Sequence, residues 1–191
     1  MDLKMKTVFK GIAIVVFFSI VFDACKKGDN DPFISLRSRK ARVTGEWQLT
    51  VGSVTTAGGP APIVITYDGN KKTEGSTTTV YSENSTFKKN GDYKTVISDD
   101  GLAKVREGTW NFSGGVGSTK KKEQLIITIL KETTTTGNTT GVQTYSGSQA
   151  PIVIYEIDEL RNKKIVFKLD GSQSSGNSTT TTVKGSLTYE Q

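Results

Sequence analysis

Val43-Thr44-Gly45-Glu46-Trp47-Gln48-Leu49-Thr50-Val51 is the stretch on which the fold turns. Trp47, Leu49 and Val51 alternate with Gln48 and Thr50, and a period of two puts one set of side chains on each face of an extended strand. The same period returns downstream. Ile63, Ile65 and Tyr67 alternate with Val64 and Thr66, and Tyr93, Thr95 and Ile97 share a face. Further runs lie at 104–112, 123–131, 152–158, 164–170 and 179–189, divided by clusters of Gly, Asn, Asp and Ser. A chain of 191 residues, rich in Thr, Val, Ile, Tyr and Gly, is read as one all-β domain.

Turn chemistry sets the connections. Asn90-Gly91 separates Thr86-Phe87-Lys88 from Tyr93-Lys94-Thr95, and Asn-Gly predicts a type I′ hairpin because both central residues of that turn need positive φ. Arg161-Asn162-Lys163 predicts a second hairpin. The Thr, Gly and Ser stretch at 133–148 reads as a long loop or a ragged hairpin tip, and 172–178 reads the same way. Ala61-Pro62-Ile63-Val64-Ile65 is echoed by Ala150-Pro151-Ile152-Val153-Ile154, with proline at the mouth of each strand where it need not donate to a ladder. About eight strands in an antiparallel sheet close into an up-and-down β-barrel, whose interior is filled by side chains or holds one small ligand. Trp47, Tyr67, Phe87, Tyr93, Trp110, Phe112, Phe167 and Tyr189 are the candidate interior residues.

The N-terminus is of another kind. Lys4, Lys6 and Lys10 precede an apolar run from Gly11 to Phe22, and Ala24 stands before Cys25, the chain's single cysteine. This start resembles that of a bacterial lipoprotein. The resemblance implies cleavage between Ala24 and Cys25, acylation of Cys25, and anchoring to the envelope of a Gram-negative bacterium, at the outer membrane. Two or three acyl chains suffice for such an anchor without any apolar protein surface. The expected divisions are a signal peptide at 1–24, a lipidated tether with a short helix at 25–42, and a barrel domain at 43–191. Phe33, Leu36 and Lys40 would share a face of that helix.

Loss of the leader removes three lysines and two aspartates, lowering the formal net charge from +6 to +5. The cations are scattered, and no nucleic-acid partner is expected. The densest clusters are Arg37-Ser38-Arg39-Lys40-Ala41-Arg42, read first as a solvated face and otherwise as a contact for anionic head groups or lipopolysaccharide phosphates beside the anchor, and Lys120-Lys121-Lys122, read as the cap of a solvated hairpin.

Gly45-Glu46-Trp47, opening the first strand, resembles the entry motif of the lipocalins. Glu107-Gly108-Thr109-Trp110-Asn111-Phe112 and Ile157-Asp158-Glu159-Leu160 with Lys164-Ile165-Val166-Phe167 extend the resemblance to the lipocalin-like lipoproteins of Bacteroidetes, from about residue 39 onward. It implies a barrel whose closed end is plugged by Trp47 and whose interior takes a small apolar or amphipathic ligand. Lipocalins commonly bring a late arginine over that tryptophan. Here the last arginine is Arg161, so Lys184 or Arg42 would have to supply the cation.

Histidine is absent, which removes the commonest general base and zinc ligand, and the one thiol is reserved for lipid. Asp99-Asp100, Glu156, Asp158 and Glu159 are the only carboxylate candidates for acid–base work, and they read as turn and solvent face. Asp29, Asn30 and Asp31 lack the spacing of a calcium loop. No catalytic residue, metal or cofactor is expected. The alternative to ligand carriage is a non-enzymatic interaction module with a solid core, docking on an envelope protein or glycan.

Overall fold

The computed structural model describes residues 37–113, 124–175 and 179–191. They form one short helix, α1 (Arg39–Val43), and eleven strands: β1 (Gly45–Ala57), β2 (Ile63–Asp68), β3 (Lys71–Glu74), β4 (Thr77–Phe87), β5 (Asp92–Asp99), β6 (Leu102–Ser113), β7 (Gln124–Thr136), β8 (Thr139–Thr144), β9 (Ile152–Leu160), β10 (Lys164–Ser175) and β11 (Thr179–Glu190). Every pairing is antiparallel, and β6–β7 and β1–β11 close the sheet into a ten-stranded barrel with β8 outside it.

The strand count changes along the barrel. Gly45 to Gln48 of β1 pair directly with Phe87 to Asn84 of β4, whereas from Val51 onward β1 pairs with β2, so the β2–β3 hairpin is a wedge driven between β1 and β4. Eight strands therefore surround the end that holds Trp47, and the wedge brings the total to ten. Three turns missed in the sequence reading account for the wedge and for β8. Gly69, Gly75 and Gly137 take φ of +59°, +59° and +56°, and each leads a Gly-Asn or Gly-Ser pair, the signature of a type II′ hairpin.

The stretch at 133–148 is largely ladder. It forms the end of β7, the Gly137-Asn138 turn and all of β8, six exposed residues paired to β7 from Lys131 to Thr136. Residues 172–175 likewise extend β10. The Asn90-Gly91 expectation is corrected in its turn type. Only Gly91 has positive φ, and the amide of Lys88 donates to the Asp92 carbonyl at 2.9 Å, making a three-residue loop with a Gly bulge. The type I′ pair is instead Asp100-Gly101, at φ +44° and +86°. Arg161 donates to the Lys164 carbonyl at 2.8 Å across the second expected hairpin.

Val51 is also corrected. A bulge between Leu49 and Val51 shifts the register on β1, so Val51 points outward at 55% exposure and Gly52 turns in. The floor of the barrel is apolar. Trp47, Leu49, Phe87, Leu125, Ile127, Leu160, Ile165 and Phe167 are buried, and α1 closes beneath them. The side chain of Ser38 caps α1 by accepting from the Ala41 amide at 3.2 Å. The helix carries Arg42 and Val43 into the floor, where Arg42 donates to the Leu160 carbonyl and the Trp47 indole donates to the Val43 carbonyl at 2.7 Å. Lys184 is on the outer face at the height of Thr55 and Asp170, so of the two expected cations it is Arg42 that reaches the floor. Phe33, Leu36, Cys25, Asp29-Asn30-Asp31 and Lys120-Lys121-Lys122 lie outside the described residues.

Candidate functional site

The inward-facing residues change character with height. Around the floor they are apolar, and the rings of Phe87 and Trp110 meet edge to face at 5.6 Å, with Phe112 against Trp110 at 5.8 Å. The Trp110 indole donates to the Lys88 carbonyl at 2.9 Å, and Lys40 lies 5.8 Å over its ring. One layer up, β4 contributes Tyr81, Glu83 and Ser85 by the same alternation that buries Phe87. Glu83 lies under a bridge of phenols: Tyr81 donates to one carboxylate oxygen at 2.7 Å and Tyr189, from β11, to the other at 2.6 Å.

Five of the six tyrosines surround this carboxylate. Tyr67 packs on Tyr81 with ring centroids 5.0 Å apart, Tyr93 packs on Phe87 at 5.2 Å, Tyr155 stacks on Phe167 at 4.8 Å, and Phe167 meets Tyr189 at 5.6 Å. Burial, and then the negative charge of Glu83, push the Tyr67 phenol up to about 12 and raise Tyr81, Tyr155 and Tyr189 as well. Tyr93 rises on burial and the Glu83 charge, against hydrogen bonds to Ser85 and Thr95 that pull it down. A phenol held protonated in the fold but free to ionise near 10 when unfolded stabilises the fold fully below pH 10, and the contribution is lost as pH climbs through the folded value. Absorbance titration of the phenolates should therefore show stability flat to about pH 10, with Tyr67 ionising near 12. Five phenols ionising together near pH 10 in folded protein would contradict the cluster.

Higher still lie matched ion pairs. Asp99 at the end of β5 takes Lys72 and accepts from Thr79 at 3.3 Å, and Glu132 takes Arg106 at 2.7 Å and Lys104 at 3.4 Å. Burial alone would raise the Glu132 carboxyl, but the Arg106 hydrogen bond and the charges of Arg106 and Lys104 hold it below the ordinary range.

The wall opens on one side. Ladder pairs join β9 to β10 only from Leu160–Ile165 to Glu156–Lys168; above Lys168, β10 follows β11 while β9 follows β7. The strands part around a cleft of about 390 Å³, lined by Val153, Leu169 and Val183 from inside the barrel and by Ile152 and Ile154 from outside, with Glu156, Lys168 and Asp170 at its rim. Residues of both faces line it because it is a gap between strand edges.

Of the residues singled out from sequence, Trp47, Phe87, Tyr93, Trp110, Phe167 and Tyr189 are buried, and Tyr67 and Phe112 are half-buried against the same core. The carboxylates disperse. Asp100 is in a turn, Asp99 faces inward to Lys72, Glu156 and Asp158 are on β9, and Glu159 is 7% exposed rather than solvated, because Arg161 and Lys164 fold onto it. Glu83, Arg106 and Glu132 escaped notice. Carrying the period of two backward from Phe87 would have placed Glu83 on the inner face. No family model, curated protein or solved structure matches this chain.

Proposed function

We propose that the chain is a lipid-anchored envelope lipoprotein whose lipocalin-like barrel takes up one small amphipathic ligand. The observation that carries this reading is the cleft between β9 and β10. Its volume of about 390 Å³ suits a small molecule, and its apolar walls with a charged rim suit an amphipathic one. An apolar floor and a layer of hydrogen-bonded phenols give a ligand both an apolar bed and polar partners. Anchoring follows from Ala24-Cys25: the mature chain begins at acylated Cys25 and fractionates with membranes, and mass spectrometry of native material reads this directly. An unmodified Cys25 would sink the anchor.

For the barrel, the full chain should take up a neutral solvatochromic dye at one site. Ile154→Trp should reduce that uptake, since residue 154 is 53% exposed at the cleft and a larger ring there obstructs entry without entering the core. Uptake at many sites, unaffected by Ile154→Trp, would argue against a carrier. A docking module is favoured by one observation, the aliphatic surface of Leu130, Val142, Ile152 and Ile154, each at least 40% exposed on β7, β8 and β9. The aromatics that would have strengthened it, Tyr145 and Tyr155, pack against the core instead. Crosslinks from β8 to an envelope protein, without dye uptake, would decide for docking.

A further inference from the structure

Glu83 differs from the other inward-facing carboxylates. Asp99 is matched by Lys72, and Glu132 by Arg106 and Lys104, whereas among the described residues no lysine or arginine lies within ion-pair distance of Glu83. Its only hydrogen-bond partners there are the hydroxyls of Tyr81 and Tyr189. A carboxylate offers about four acceptor sites, so two phenol donors leave about half of its capacity open. Its negative charge reaches all five surrounding tyrosines. Aromatic faces are the electron-rich side of the ring and attract cations. Lys72, 5.8 Å over the Tyr81 ring, already uses one of them.

We infer that the barrel binds an organic cation, an alkylammonium head seated among Tyr67, Tyr81, Tyr155 and Tyr189 against Glu83, with its apolar tail running into the β9–β10 cleft. This rests on the ligand-carrier reading and names the chemistry of its ligand. The path is short. Val153 lines the cleft, and Tyr155 is the next inward residue on β9, about 7 Å further along the strand. Arg106, whose charge also reaches Tyr93 and Tyr155, is held by Glu132 and leaves Glu83 as the unmatched charge of this layer. An anionic head would be repelled by Glu83. A neutral head would gain a hydrogen bond there but neither the charge nor the ring attraction.

The test uses three probes with one tail: hexyltrimethylammonium, hexanol and hexanoate, titrated calorimetrically into the full chain carrying Cys25→Ser so that no acyl chain competes. Hexyltrimethylammonium should bind at one site about tenfold more tightly than hexanol, with hexanoate weakest, and should perturb the near-ultraviolet tyrosine bands. Glu83→Gln keeps an acceptor for a phenol and removes the charge. It should erase the preference for the cation, so that hexyltrimethylammonium and hexanol bind with similar affinity. Tyr67→Leu removes a ring that does not bond Glu83, and should weaken the cation several-fold more than it weakens hexanol, so the inference stays testable if Glu83→Gln fails to fold. Three probes binding alike, or a cation preference that survives in the folded variants, would overturn the head-group assignment and leave the carrier reading standing. Binding of none of the three would overturn both.

Discussion

Trp47→Ala should destabilise the barrel by about 3–5 kcal/mol, the range for removing a large buried aromatic ring. Trp47 is 1% exposed at the centre of the floor, where the barrel is narrowest, and the strands around it cannot close over the space its ring would vacate. A second loss adds to the cavity. The indole holds the Val43 carbonyl at 2.7 Å, and Val43 is itself fully buried, so the substitution leaves a buried acceptor unsatisfied and loosens α1 from the floor. Gln48→Ala, one residue on and facing out, should shift the urea midpoint little. Trp47→Phe separates the two contributions, since it keeps most of the packing and gives up the hydrogen bond. Equal midpoints for Trp47→Ala and Gln48→Ala would remove Trp47 from the floor and β1 from its register.

The barrel was legible where apolar residues alternate and obscure where threonine replaces them. Trp47 and Leu49, Tyr93 and Thr95, and Ile165 and Phe167 announce their faces because burial divides them from their neighbours. Thr77 to Thr79 and Thr133 to Thr136 announce nothing, since threonine suits strands but is equally at home on either face. Those tracts hold the start of β4 and the end of β7. The Gly-Ser and Gly-Asn pairs beside them, Gly75-Ser76 and Gly137-Asn138, were the signal available, and they mark hairpins by φ rather than by hydropathy. The bulge after Leu49 had no sequence signal, and it alone reversed the facing of Val51.

The same limit applies to the interior chemistry. Composition finds apolar cores and catalytic residue types, but Glu83 and Arg106 look like surface charges until the register turns them inward. Each follows an inward neighbour by two, Glu83 after Tyr81 and Arg106 after Lys104. A barrel that needed only to be filled would place aliphatic residues there, since each buried ionised group carries a desolvation cost that its partners must offset. The phenol-bridged carboxylate above an apolar floor is thus the part of the interior that packing alone does not explain.

Gly108→Ala should cost about 3 kcal/mol or more, above the usual range for an added methyl group, because the atoms it meets cannot rotate away. Gly108 follows the β6 bulge and faces Ile129 of β7; a Cβ there would stand 1.9 Å from the Thr128 carbonyl oxygen and 2.9 Å from its carbon. A carbon–oxygen contact of about 3.3 Å is the closest that backbones ordinarily sustain, so β6 and β7 would have to separate by more than an ångström. The damage reaches both ends of the ladder. On one side Trp110, two residues on, gives its amide to the Gly91 carbonyl at 2.8 Å and its indole to Lys88; on the other, Arg106 holds Glu132. Near-ultraviolet dichroism should lose the ordered tryptophan signal along with the fall in urea midpoint. Gly141→Ala is the control: it lies on β8 with ordinary φ and nothing within 4 Å of its Cβ, and restricting the unfolded chain there should be neutral or stabilising by about 0.4–1 kcal/mol. The contrast isolates close approach from glycine content, and a Gly108→Ala protein as stable as Gly141→Ala would mean that β6 and β7 are not in the register that closes this barrel.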